Sequence, residues 1–175
     1  MRSLGEECAH GVDPLAWTLD SRWFVDGTFV RIAGGWRYVY RAVDQRRQIS
    51  DVYVSFRRDF LSARRFFDGA IRTHGKPVEV VTDRAPASRA VIEGLLPAAF
   101  RNAAQYVNNR VECDHGRLLA RLRPMRGLKR DHTAEVVIRG HALVENLRHG
   151  HYELGIDPRP HRRIETAFTE LARSI

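Results

Sequence analysis

Residues 22–56 hold three strand-like stretches broken by short turns, the first with a period of two, and that pattern constrains the fold more than any other feature. In "RWFVDGTFVRI" the side chains of Phe24, Asp26, Thr28, Val30 and Ile32 fall on one face of an extended chain. The pair Gly34-Gly35 marks a turn into "WRYVYRAV", rich in the aromatic and β-branched residues that strands favour. After "DQRRQ", with Asp44 and Asp51 read as turn residues on either side, "SDVYVSF" supplies a third strand. Three consecutive strands with short connections predict an antiparallel meander.

The period then lengthens. Phe60, Ala63, Phe67, Ala70 and Ile71 are spaced as one face of a helix that ends near Gly75. "PVEVVTD" reads as a short buried strand finishing at Asp83. A helix follows from Pro86 towards Leu96, with proline at a first helical position. Asn108 to Leu122 reads as helix and stops before Pro124. Val136, Gly140, Leu143, Val144 and Leu147 line a further helix, and the Pro- and Arg-rich "DPRPHRR" precedes a last one over 162–173. With one more strand between the second and third helices, the order predicts an α/β arrangement with a mixed sheet, not a barrel or a doubly wound repeat.

Of 29 basic residues only Lys76 and Lys129 are lysine, and the formal net charge is +8. Arginine forks suit bidentate phosphate contacts, so the charge points to a polyanionic partner over a small neutral substrate. Arginine preference alone carries less weight, because coding bias produces it too. Cys8 and Cys113 are too few for a disulfide framework, which makes a reducing cytoplasm the expectation. No apolar run approaches the ~20 residues of a membrane span.

Against this cationic background three acids stand out. Asp26 sits mid-strand among apolar neighbours, where an unpaired carboxylate is costly, so it needs a cation, hydrogen bonds or a metal. Asp83 ends the fourth strand, a place where α/β sheets gather ligands. Glu112 lies on a helix that returns to that edge. Sparse carboxylates of this kind suit Mg²⁺, and two such ions activate an attacking oxygen and stabilise a leaving one in phosphoryl transfer. Each acid also has a plainer reading: Asp83 as a turn or cap residue, Glu112 paired with an arginine of its own helix.

The stretches "RWFVDGTFVRIAGGWRYVYRAVD", "RRDFLSARRFF", "VVTDRAPA" and "NNRVECDHGRLLARLRPMRGLK" resemble, in the same order, blocks of the DDE transposases of insertion-sequence family 6, from about Arg22 to Leu154. The resemblance implies an RNase H-like, retroviral integrase-type core: a mixed five-stranded sheet flanked by helices. It implies Mg²⁺-dependent cleavage of DNA at transposon ends and joining to target DNA, with Mn²⁺ as a substitute. Its metal-binding acids fall on Asp26, Asp83 and Glu112. It further implies a bacterial, nucleoid-associated protein that meets transposon-end and target DNA as a homo-oligomer. Domain limits follow as an irregular lead-in over 1–20, a catalytic core over 21–155 and a helical tail over 156–175.

Departures from the pattern are specific. Gly27 replaces an acid, Phe29 a tyrosine, Ser88 a tyrosine and Leu119 a lysine, and the interval from Asp83 to Glu112 is short. An end-recognition helix-turn-helix is not apparent. These lead to the expectation of a shortened copy with impaired autonomous transposition. Two alternatives stay open: a non-catalytic DNA-binding or dimerising remnant, and an RNase H-like nuclease that hydrolyses without joining.

Asn108, Asn109, Arg110, His115, Arg117, Arg121 and Lys129 form the expected DNA-contacting set around the third acid. Either asparagine also serves as a helix cap. His115 shares a helix face with Glu112, while Asp114 points away and is expected to pair with Arg117 or Arg121. Arg57, Arg58, Arg64 and Arg65 read as a phosphate-tracking or solvated face. Trp17, Trp23 and Trp36 read as packing residues, and "HGH" at 149–151 as a helix-ending turn. Zinc is disfavoured, since no second Cys/His cluster completes four ligands.

Overall fold

A computed structural model describes residues 22–83, 85–103, 109–125, 128–156 and 159–174. The proposed lead-in and Trp17 lie outside them. In chain order the elements are β1 (Arg22–Ile32), β2 (Gly35–Asp44), β3 (Ile49–Ser55), α1 (Phe60–His74), β4 (Glu79–Thr82), α2 (Pro86–Leu95), β5 (Phe100–Asn102), α3 (Asn109–Leu122), α4 (Asp131–His149) and α5 (Arg163–Arg173). One mixed sheet runs β3-β2-β1-β4-β5. The meander is antiparallel, and β4 and β5 join it in parallel.

The first turn lies one residue earlier than the glycine pair indicated. Ala33 (φ 50°) and Gly34 (φ 80°) occupy it, and Gly35 already opens β2. A two-residue hairpin needs positive φ at both central positions, which the right-handed strand twist favours. In the second turn Asp44 Oδ1 accepts from the backbone N–H of Arg46 and Gln48, both at 2.8 Å, as a turn acid should. Asp51 is not a turn residue: it lies within β3, where burial raises its carboxyl above the usual range.

Helix α1 begins at Asp59, whose carboxylate accepts from Ser62 N–H at 2.8 Å, and ends at Gly75 with φ 78°. Its buried stripe runs through Ser62, Ala63, Phe66, Phe67 and Ala70, leaving Phe60 exposed. The buried face of α4 also differs from the expected one. It consists of Ala134, Ile138, Ala142, Glu145, Asn146 and Leu147, whereas Val136 and Leu143 face outward. Asn146 explains the choice: its amide oxygen accepts from Ile49 N–H at 2.8 Å and its Nδ2 donates to Ile49 C=O at 3.0 Å. Those bonds satisfy backbone groups at the start of β3, the edge strand of the sheet among the described residues. Helix α4 ends at His149 with left-handed Gly150, so "HGH" is a helix-ending turn.

The alternation of β1 sorts the core into two layers. Trp23 and Val25 join Tyr38, Tyr40, Ala42 and Val80 beneath α1 and α2. Phe24, Val30 and Ile32 join Val39, Val43, Val52 and Val81 beneath α3 and α4. Trp36, expected to pack, is instead exposed. Asp26 shares the parity of Phe24 and Val30, so the strand delivers it to the α3 side.

Candidate active site

Parallel pairing of β1 with β4 sets Val25 beside Thr82. Asp26 is the next residue of β1 and Asp83 the first residue after β4, so two acids far apart in sequence directly follow the last paired position at the carboxyl end of β4. The Asp26 side chain is 19% exposed and that of Asp83 31%, so both are within reach of solvent yet flanked by protein.

Asp83 uses its two oxygens differently. Oδ1 accepts from Ala85 N–H at 3.1 Å, holding the turn into α2 without capping that helix. Oδ2 receives the guanidinium of Arg58, which also lies over the Tyr38 ring at 5.1 Å. Sequence places Arg58 on a solvated or phosphate-tracking face; in the fold its partner is one of the acids. Arg64 pairs with Asp68 on the same helix at 3.7 Å.

Tyr38 links the two acids electrostatically. Burial pushes its phenol up from 10.0, Arg58 opposes this, and the negative charges of Asp26 and Asp83 push it further. The ring of Tyr38 also explains Gly27. A β-carbon there would sit 2.3 Å from Cε1 and 2.5 Å from the phenol oxygen, so the aromatic occupies the volume that a side chain at 27 would take. Beside it Tyr40 is pushed up to about 12, chiefly by burial and then by the Asp59 charge.

Helix α3 crosses the Asp26 side. His115 is buried, and its Nδ1 approaches Asp26 Oδ2 at 3.9 Å. Burial, then the Arg41 charge, hold the imidazole down at about 4, with Asp114 opposing. At neutral pH His115 is therefore uncharged, and its approach to Asp26 is that of a neutral ring and not an ion pair. Its Nε2 is buried with no hydrogen-bond partner among the described residues.

Asp114 does not pair along its own helix. It is buried against Arg41 of β2, whose Nη1 donates to Asp114 Oδ2, and Arg41 is the ladder partner of Asp26. Arg117 reaches Glu145 of α4 at 3.4 Å. The same Glu145 accepts from Arg148 at 2.7 Å. Arg121 and Lys129 are exposed. Asn109 is the first residue of α3, and Arg110 and Glu112 lie in its first turn; the side chains of all three, and the whole of Asn108, fall outside the described residues. Among the described residues, which leave out the Glu112 side chain, no three His, Cys, Asp or Glu side chains form a metal cluster.

Ser88 is buried on α2. Leu119 packs beside the α3-side core and lines an open groove with Phe29, Trp36 and Leu128, so an apolar contact stands where the resemblance has a lysine. The sequence does not point to Tyr38, Arg41 or Glu145 as site or supporting residues, and it offers Arg58 only as part of a phosphate-tracking or solvated face. For Arg41 a signal existed: in "RYVYRAVD" it shares the inward parity of Val39 and Val43, as Asp26 shares that of Phe24.

Solved structures share this architecture. The catalytic core domain of HTLV-2 integrase in complex with magnesium, in a trimeric form, superposes with a TM-score of 0.58 at 18% identity, covering 86% of this chain and 99% of that one. A chain of the simian T-cell lymphotropic virus intasome bound to PP2A regulatory subunit B56 gamma gives 0.56 at 18% identity, over 69% of this chain and 48% of that one. The fold is the RNase H-like one of retroviral integrase cores. Among curated sequences, the transposase for insertion sequence-like element IS431mec of Staphylococcus aureus N315 is 32% identical over 105 residues, 57% of this chain and 47% of its own length. The transposase of IS257 in transposon Tn4003, also from Staphylococcus aureus, matches to the same extent. The chain thus spans about half the length of the curated relatives it matches. Residues 20–151 match the family DDE_Tnp_IS240, a DDE domain. With its integrase-like sheet and its acids on adjoining strands, the chain belongs to this family of transposase DDE domains.

Proposed function

We propose that residues 21–155 form the catalytic core of an insertion-sequence transposase that cuts DNA at element ends and joins it to target DNA. Asp26, Asp83 and Glu112 are the proposed ligands of Mg²⁺, with Mn²⁺ as a substitute. The observation that supports this reading is the parallel register of β1 and β4, whose last pair, Val25 and Thr82, immediately precedes Asp26 and Asp83, together with the approach to Asp26 of His115 on α3, the helix whose first turn contains Glu112.

The residues present fit a hard divalent cation. Their donors are carboxylate oxygens, and Arg58 already meets Asp83 with positive charge, marking a place where a cation is accommodated. When bound, a pair of such ions supplies activation of the attacking oxygen and neutralises charge on the leaving oxygen. The protein's part is positioning. Asp26 is fixed by its strand, Asp83 by its bond to Ala85 N–H, and His115 contributes an uncharged ring that can meet a water or a phosphate oxygen without repelling a metal. Arg58, half-exposed, is free to exchange Asp83 for a DNA phosphate once another cation neutralises the acid. Asn108, Asn109, Arg110, Arg117, Arg121 and Lys129 are proposed to hold the DNA backbone near α3, with homo-oligomerisation bringing two element ends together. No helix among the described residues is long and apolar enough to cross a membrane. Action at the nucleoid is the setting this reading requires.

The test is strand transfer. Purified chain is incubated with Mg²⁺ or Mn²⁺, nicked element-end DNA and a target duplex. Metal-dependent joining that disappears in Asp83→Asn and Asp26→Asn is the expected result. Joining that survives either substitution contradicts the assigned chemistry, and strand hydrolysis without joining favours a nuclease.

A further inference from the structure

Position 115 of α3 faces Asp26, and its neighbour 114 is bonded to the residue across the ladder from Asp26. Arg41 is fully buried, pairs in register with Asp26 and donates from Nη1 to buried Asp114. Two consecutive residues of the helix are thereby matched to two adjacent positions of the sheet. Among the described residues, α3 also meets the sheet-side core through the apolar Val111, Leu118 and Leu122. Burial of that kind is non-directional and by itself favours no one register of helix on sheet. A charge-assisted bond between buried groups does.

The pair is also a poor choice for stability alone. Arg41 Nε and Nη2 are buried with no hydrogen-bond partner among the described residues. Removing two charges from water is repaid only when the remaining donors are satisfied, and buried ion pairs can often be replaced by apolar pairs without loss. We infer that Arg41 and Asp114 are a positioning pair that sets α3 on the sheet so that positions 112 and 115 stand over Asp26. This rests on the proposed metal-dependent reading only for its consequence in catalysis; the placement of α3 is a property of the metal-free chain.

The test uses the full chain carrying Arg41→Met together with Asp114→Leu, and separately Asp114→Asn. Replacing both charges is expected to leave thermal stability near that of the parent. A crystal structure of the metal-free double variant is expected to show α3 shifted and His115 withdrawn from Asp26. Mn²⁺ affinity, read by titration, and kcat for joining are both expected to fall about 10–100-fold, as when an outer-shell partner of a metal site is removed, with KM for DNA unchanged. Asp114→Asn keeps an acceptor for Arg41 and is expected to lose less. A double variant with α3 unmoved, or with parental Mn²⁺ affinity, overturns the inference. If the double variant does not fold, unchanged Mn²⁺ affinity and unchanged His115 placement in a folded Asp114→Asn variant overturn it instead. A parent chain that binds no Mn²⁺ and joins no strands defeats the transposase reading, while the crystal structure still decides the positioning role.

Discussion

Beneath α1 and α2 the sheet is covered by Phe66, Phe67, Tyr40, Trp23 and small aliphatic side chains. Beneath α3 and α4 the same strands meet Arg41, Asp114, His115, Glu145 and Asn146 within an otherwise apolar layer. Stacked aromatics account for the first face, with Tyr40 and Phe66 rings 5.5 Å apart and Phe66 and Phe67 edge to face at 5.3 Å. The second spends stability on buried charge that a purely structural layer does not need. The two faces divide the labour: one holds the sheet together, and the other, on the proposed reading, holds the candidate site in shape.

That division is open to attack at its strongest point first. On the aromatic face, Phe67→Ala removes a fully buried ring and is expected to cost about 3–5 kcal/mol in urea denaturation, with activity per folded molecule retained. On the polar face, Asp114→Ala strands the Arg41 charge and is expected to cost a similar ~3–5 kcal/mol, but with activity lost even where the chain is folded. Equal behaviour of the two variants per folded molecule breaks the comparison.

A pH series sharpens it. The folded chain holds His115 at about 4 against an ordinary 6.5, so between these values the unfolded chain binds the extra proton. The His115 contribution to stability is therefore complete above about 6.5, declines as pH falls, and levels off below about 4, for a loss on the order of 3 kcal/mol. Denaturation midpoints across that range are expected to slope for the parent and to slope less for His115→Gln, the remainder coming from His141 and His151, which burial also holds below the usual range. A parallel slope in both places the titration elsewhere.

The smallest expected effect concerns the boundary between the faces. Gly27→Ala drives a methyl into Tyr38 and is expected to cost ~1–3 kcal/mol. Combined with Tyr38→Ala the two changes are expected to be non-additive, the second relieving the clash made by the first. Strict additivity in a double-mutant cycle means the ring moves aside freely and Gly27 is not held by it.

Much of this was legible in the sequence, and the reasons are local. The meander follows from side-chain alternation, the limits of α1 from Asp59 and Gly75, and the inward parity of Asp26 from its neighbours Phe24 and Val30. What escaped depends on pairing between distant segments. Arg41 and Asp114 are 73 positions apart, and only the docking of α3 on β2 joins them; from its own helix Asp114 had nearer arginines to choose. The face of α4 was misjudged because Val136 and Leu143 are larger than Ala134 and Ala142, while the decisive residue, Asn146, is polar and earns its burial by bonding a strand edge. Asp51 sits beside a turn in sequence but inside β3 in space. Gly27 read as a lost acid; the Tyr38 ring over it needs the ladder between β1 and β2 to be seen.

The most direct measurement is an anomalous difference map from crystals of the chain soaked in Mn²⁺. Density touching both Asp26 and Asp83, with Arg58 displaced from Asp83, is the expected result. Density at only one of the two acids, or at neither, contradicts the claim that these neighbouring strands build a single metal-dependent site.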